Sequence, residues 1–220
     1  MHTPRLALAF MALLIGACAA DSAPAEEPTT STPPSTTPPA APIELTSGGP
    51  LPPGTYTRRG FRPPVTFAVE ADGWFVGTLD DGFFDIQQDR GTPDVIAVQF
   101  ALVLAVAGDG GAMTPATTAG EAAAAIKLNP GLVVLGESAA GLGGLEGWAV
   151  EVENTGDTTS AVMQVAPGTL SFDPNRRLWI SLFDTGEGIM AVIVGGSVAE
   201  WDRALALAQP VMETIVITGS

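Results

Sequence analysis

Val65-Thr66-Phe67-Ala68-Val69 and Trp74-Phe75-Val76-Gly77-Thr78-Leu79 are two runs in which an apolar side chain recurs at every second residue, joined through Ala71-Asp72-Gly73. Period-two alternation gives each run one apolar face, and a short glycine-containing connection between two such runs predicts a β-hairpin. The same grammar continues outward. Asp80-Asp81-Gly82 turns the chain into Phe83-Phe84-Asp85-Ile86. Residues 95–107 are apolar apart from Gln99, too short a run to span a bilayer, and are predicted as a central strand entered from Pro93-Asp94.

Further strands are expected over residues 133–137, 147–153, 161–165, 178–183 and 189–194, with Asp184-Thr185-Gly186-Glu187-Gly188 closing the last two into a hairpin. Ile215-Val216-Ile217 is the expected last strand. Two segments switch to helical character, each behind a capping box. Thr118-Ala119-Gly120-Glu121 opens an alanine-rich stretch that Asn129-Pro130-Gly131 stops, and Ser197-Val198-Ala199-Glu200 opens the second. In the second, Trp201, Leu205, Ala208 and Met212 form a stripe expected to pack on a sheet. Pro210 lies within it and predicts a kink or a stop. The sum is an α+β class domain over residues 43–220: one large, mainly antiparallel sheet with about two packed helices. Few helices lie between the strands, which argues against a doubly wound nucleotide fold.

Ahead of the domain, residues 1–17 have the parts of an export signal: a short basic start, an apolar run and small residues. Ile15-Gly16-Ala17-Cys18 resembles the lipobox of bacterial lipoproteins, with Ile where Leu is commoner. That resemblance implies cleavage before Cys18, lipid on its thiol, and attachment to the outer face of the cell membrane. Cys18 is the one cysteine of the chain, and a thioether removes the hazard of an unpaired exported thiol. Ala17-Cys18-Ala19 also fits an ordinary small-x-small cleavage site, which would release a secreted protein. Residues 18–42 then carry the lipid attachment point and a Pro-, Thr- and Ser-rich spacer, a composition that cannot bury a core and reads as a disordered tether. The Thr and Ser residues of 29–37 are candidates for O-linked sugar.

Leu51-Pro52-Pro53-Gly54-Thr55-Tyr56, the Phe61-x-Pro63-Pro64-Val65-Thr66-Phe67 segment and Gly73-Trp74 resemble the start of uncharacterised extracytoplasmic proteins of GC-rich bacteria. Asn129-Pro130-Gly131-Leu132-Val133-Val134 and Gly143-Gly144-Leu145-Glu146-Gly147-Trp148 are similar to the same group further on. In overall order the chain also resembles the PsbP/Mog1-like sandwich. These resemblances imply a sheet with helices packed on it and a protein that works by binding. They transfer no active site.

The chain has 220 residues and a formal charge of −15. Its domain holds 21 Asp and Glu against 8 Lys and Arg, which excludes the basic face that nucleic-acid binding needs. His2 lies in the leader and no other histidine follows, so the familiar His-dependent triads and His-based zinc sites are excluded. No cofactor, metal or catalytic residue is predicted. Lys127, the sole lysine, reads as a surface side chain. Asp80, Asp81, Asp85 and Asp89 miss the calcium-loop spacing and read as acidic turns. The glycine runs 108–111 and 141–144 also read as turns.

The candidate binding residues are Tyr56, Arg58, Arg59 and Arg62, where arginines and an aromatic gather against an acidic background, together with Trp74 and Trp148. Solvated turn residues are the simpler account of the arginines. Arg176-Arg177 is a second candidate pair. The expected protein is a lipid-anchored, non-enzymatic binding or accessory module for an unknown small ligand or an envelope protein. An envelope structural partner is the alternative, and a carboxylate-based hydrolase a third. A pocket lined by Trp74 or Trp148, a flat apolar face, or two buried carboxylates facing a cleft would distinguish them.

Overall fold

The protein is described by a computed structural model over residues 41–218. The leader, Cys18 and the tether up to residue 40 lie outside the described residues. The first strands are short: β1 (Ile43–Glu44), β2 (Gly49–Leu51), β3 (Gly54–Arg58), β4 (Val65–Val69), β5 (Trp74–Leu79) and β6 (Phe83–Gln88). β7 (Ile96–Ala107) is the long central strand, followed by β8 (Met113–Thr114), α1 (Ala119–Lys127), β9 (Val133–Leu142) and β10 (Leu145–Asn154). β11 (Ser160–Val165), β12 (Gly168–Phe172), β13 (Arg176–Thr185), β14 (Gly188–Ser197), α2 (Trp201–Glu213) and β15 (Val216–Ile217) complete the chain.

The class is α+β, as the pattern predicts, but the strands make two sheets. The large one has 11 strands, with β2-β5-β6-β7-β14-β13-β10-β9 in order and β8, β11 and β12 branching from the β7 side. A 4-stranded sheet, β1-β3-β4-β15, packs over one end of it. β4 and β5 therefore do not pair. β4 joins β3 and β15, while β5 joins β2 and β6, so the predicted hairpin is instead a corner where the chain steps between layers. Gly73, with φ +91°, makes the step. The alternation still holds, because Val65, Phe67, Val69, Trp74 and Val76 all point into one core. By contrast, residues 178–194 form the predicted hairpin, with Thr185 opposite Gly188.

β14 is buried on both faces over residues 189–196 and reads as a continuous apolar run, as a strand covered on both sides must. On one face lie the small sheet and α2. Here Phe84 stacks on Phe100 at 4.3 Å between centroids, with Phe67 and Phe61 packed beside them. On the opposite face lie α1 and the β11–β12 hairpin, over Val150, Val152, Ile180, Leu182, Ala191 and Ile193.

Thr118 caps α1 as predicted, accepting a hydrogen bond from the Glu121 backbone N–H. The second box is offset. Ser197 Oγ accepts from the Glu200 N–H, and the helix begins only at Trp201. α2 also runs through Pro210 to Glu213, so the expected stop is absent; the last buried turn holds Val211 against the core. Its buried stripe is Trp201, Ala204, Ala208 and Val211, rotated from the predicted one. The cause is close packing: a Cβ on Gly196 of β14 would stand 2.7 Å from the Ala204 methyl, so small residues bring helix and strand together and turn Leu205 and Met212 to the flank.

Candidate functional site

The side chains nominated from the sequence do not converge. Tyr56 is a core residue whose hydroxyl donates to the Pro52 carbonyl at 2.6 Å, and burial pushes its phenol up from the ordinary value. Trp74 is 2% exposed and packed in the aromatic core. Arg58 donates to Asp81 at 3.0 Å and to the Leu45 carbonyl, and Arg59 pairs with Glu44 at 3.4 Å. These two arginines staple β1 and the 80–82 turn to β3. Arg62 is exposed. Neighbours in sequence thus point to different places, because alternate residues of a strand face opposite ways.

The second arginine pair is also structural. Arg176 donates to the Pro93 and Val95 carbonyls, with desolvation lowering its pKa against the opposing pull of Asp173 and Asp94. Arg177 pairs with Glu151 at 2.9 Å and sits 5.3 Å over the Trp201 ring, while Trp201 Nε1 donates to the same carboxylate. Lys127 pairs with Glu137 across α1 and β9. The four acidic turn residues are dispersed. Asp89 pairs with Arg203 and Asp81 with Arg58, while Asp85 is buried, accepting from the Thr78 N–H and from Gln87. Among the described residues no His, Cys, Asp or Glu cluster is arranged to hold a metal, and Asp85 is the one buried carboxylate. Two buried carboxylates facing a cleft, the arrangement that would mark the hydrolase reading, are therefore absent from the described residues.

Trp148 is different. It is 47% exposed on β10, on the face that carries α1. It lines a 140 Å³ cleft with Gly120, Ala123, Ala124 and the Lys127–Glu137 pair. On its other side it lines a wider cleft of about 600 Å³ with Ala139, Ala140, Gly141, Glu146, Gly147 and Asp184.

The opposite face holds a groove that the sequence did not disclose. Trp179 of β13, Val194 of β14, and Leu205, Ala208, Gln209 and Met212 of α2 enclose about 340 Å³. A second hollow of 320 Å³ shares Trp179 and Met212 and runs on along Ala140, Leu142 and Phe183 toward the β9 edge. The Trp179 indole donates to Ser181 Oγ at 3.2 Å, which fixes the ring as a wall. No basic side chain lines either hollow, and Glu213 is the one acidic group. The volume falls in the range of ligand clefts, ~300–1,000 Å³, with a mostly apolar lining and few polar groups. Leu205 and Met212 were visible as apolar residues on α2; their rotation off the core stripe was the signal that they face something else.

Fold and clefts define an α+β, sheet-based protein with an open apolar groove. No protein-family model matches the chain, and no curated protein matches it in sequence. Among solved structures it is similar to LpqN of Mycobacterium tuberculosis, described as involved in cell envelope biogenesis, at 13% identity over 79% of this chain and 91% of that one, with a TM-score of 0.40. It is also similar to the cyanobacterial PsbP of Synechocystis, at 11% identity over 81% of this chain and 96% of that one, with a TM-score of 0.43. No residue role is carried over from either protein.

Proposed function

We propose that this chain is a lipid-anchored, extracytoplasmic binding module that acts without covalent chemistry and holds an apolar ligand between α2 and the large sheet. The groove of Trp179, Val194, Leu205 and Met212 carries this reading. Burying apolar surface there releases water at roughly 25 cal/mol per Å². The absence of a cation in the lining favours an uncharged apolar group over a fatty-acid carboxylate. The lipobox-like Ile15-Gly16-Ala17-Cys18 and the tether behind it support attachment at a membrane surface, from which the domain reaches its ligand.

Two experiments test the two halves. For the groove, the full chain is purified from its membrane and its co-purifying apolar molecules are identified by mass spectrometry, beside Leu205→Arg, which puts a charge on the groove wall. The expected result is a neutral apolar molecule lost in Leu205→Arg; equal yield from both chains removes the groove as the site. For the anchor, fractionation of cells expressing the wild type and Cys18→Ala should place the first with membranes and release the second. Equal release refutes the anchor.

A further inference from the structure

β9 ends the large sheet, and the outer side of its ten residues pairs with no strand among the described residues. Natural edges are usually blunted by lysine, proline or a covering element, because unpaired N–H and C=O groups are a template for another strand. β9 has neither lysine nor proline. It exposes Val133, Val134 and Leu135; its one charge, Glu137, is taken up by Lys127 of α1, and small residues follow from Ser138 to Gly141. One register shift lies near Leu135, opposite Glu151 and Val152; from Gly136 to Leu142 the pairing with β10 is regular.

Directly behind that regular part stands Trp148, paired with Ala139. Beside it are Glu146 and Asp184, both exposed on neighbouring strands and neither paired with a cation among the described residues. Asp184 is held in place by the Ala119 N–H at the start of α1, which it accepts at 2.7 Å. The cleft thus offers an aromatic face and two carboxylates with no basic partner among the described residues, next to an open edge.

We propose that the β9 edge and the Trp148 cleft form one docking surface for an extended polypeptide segment that carries basic side chains. An added strand would lie ~4.8 Å beyond β9, with its main chain bonding to the free edge. From a position opposite Ala139, a Lys or Arg passes over a single methyl group. Its stem then covers the indole and its charge reaches Glu146 on β10, with Asp184 one strand further in adding to the negative field. Charge also selects against the other occupant of an open edge, a second copy of this chain, since two domains rich in Asp and Glu repel. The Trp148 cleft is on the opposite face from the α2 groove, with the β9 edge between them, and its test does not depend on the apolar ligand.

The test uses the full chain in detergent and three fluorescein-labelled ten-residue peptides, alternating Thr with Lys, Ser or Glu, followed by fluorescence anisotropy. The Lys peptide should bind at least about tenfold tighter than the Ser peptide, and the Glu peptide should not bind. Trp148→Ala and the double variant E146Q/D184N should each weaken the Lys peptide by about fivefold to tenfold. Added salt should weaken binding to the wild type more steeply than to E146Q/D184N. Hydrogen exchange should show new protection at the amides of residues 136–142. The carboxamide variants keep the shape and the Ala119 acceptor, so they decide the matter even if Trp148→Ala folds poorly. Equal binding of the Lys and Ser peptides, unchanged affinity in both variants, or protection outside β9 would overturn the proposal, as would dimerisation through β9 that the Lys peptide fails to displace.

Discussion

The two ends of the large sheet are built on opposite plans. At the β2-β5-β6 end the small sheet closes over stacked Phe67, Phe84 and Phe100, and nominated residues such as Trp74 vanish into packing. At the β10-β9 end the sheet runs on past its covering helices. Val133, Val134, Leu135 and Trp148 stay exposed there, and the clefts on both faces open. One end has spent its aromatic residues on stability and the other keeps them available for contact.

Substitution should separate the ends. Phe100→Ala in the closed end should cost about 3–5 kcal/mol in urea unfolding, because it removes a fully buried ring and leaves a cavity. Trp148→Ala should cost less than about 1 kcal/mol in the same assay. A cost at Trp148 equal to that at Phe100 would mean that the open end is core as well.

Where α2 meets the open half, Glu151→Ala removes the acceptor shared by Arg177 and the Trp201 indole and should cost about 1.5–3 kcal/mol. At the α1 terminus, Thr118→Ala should cost about 1 kcal/mol through the lost cap. The smallest effect is electrostatic. The Thr117 hydroxyl, then its backbone N–H, hold the Glu121 carboxyl below the ordinary value. A depressed carboxyl stabilises the fold above its ordinary pKa, and that contribution is lost as pH falls through the lowered folded value. Thr117→Val should move the Glu121 titration upward in an NMR pH series.

The contrast between the ends also explains what was legible. Strand alternation is a local property, so nearly every long strand could be read from residue spacing. Partner choice is not local. The runs 65–69 and 74–79 look as much like a hairpin as 178–183 and 189–194, yet they separate into two sheets because both can bury their apolar faces in the same core. Arg58, Arg59 and Arg62 read as one patch because they are close in sequence, while the end of the strand sends Arg58 to Asp81 and Arg59 to Glu44. The α2 groove was illegible for the converse reason. Residues 179, 194 and 205 meet only after β13, β14 and α2 have packed. Trp148 was singled out as an aromatic, and its exposure follows from its place one strand in from an edge.

The four tryptophans of the chain divide among these environments: Trp74 and Trp201 are buried, Trp179 is a groove wall, and Trp148 is nearly half exposed. The molecule therefore carries its own optical reporters. Acrylamide should quench Trp148 first and leave Trp74 and Trp201 as internal references. An apolar guest would shift Trp179 emission to the blue, and a basic segment would shield Trp148, so the two occupancies can be told apart without a label.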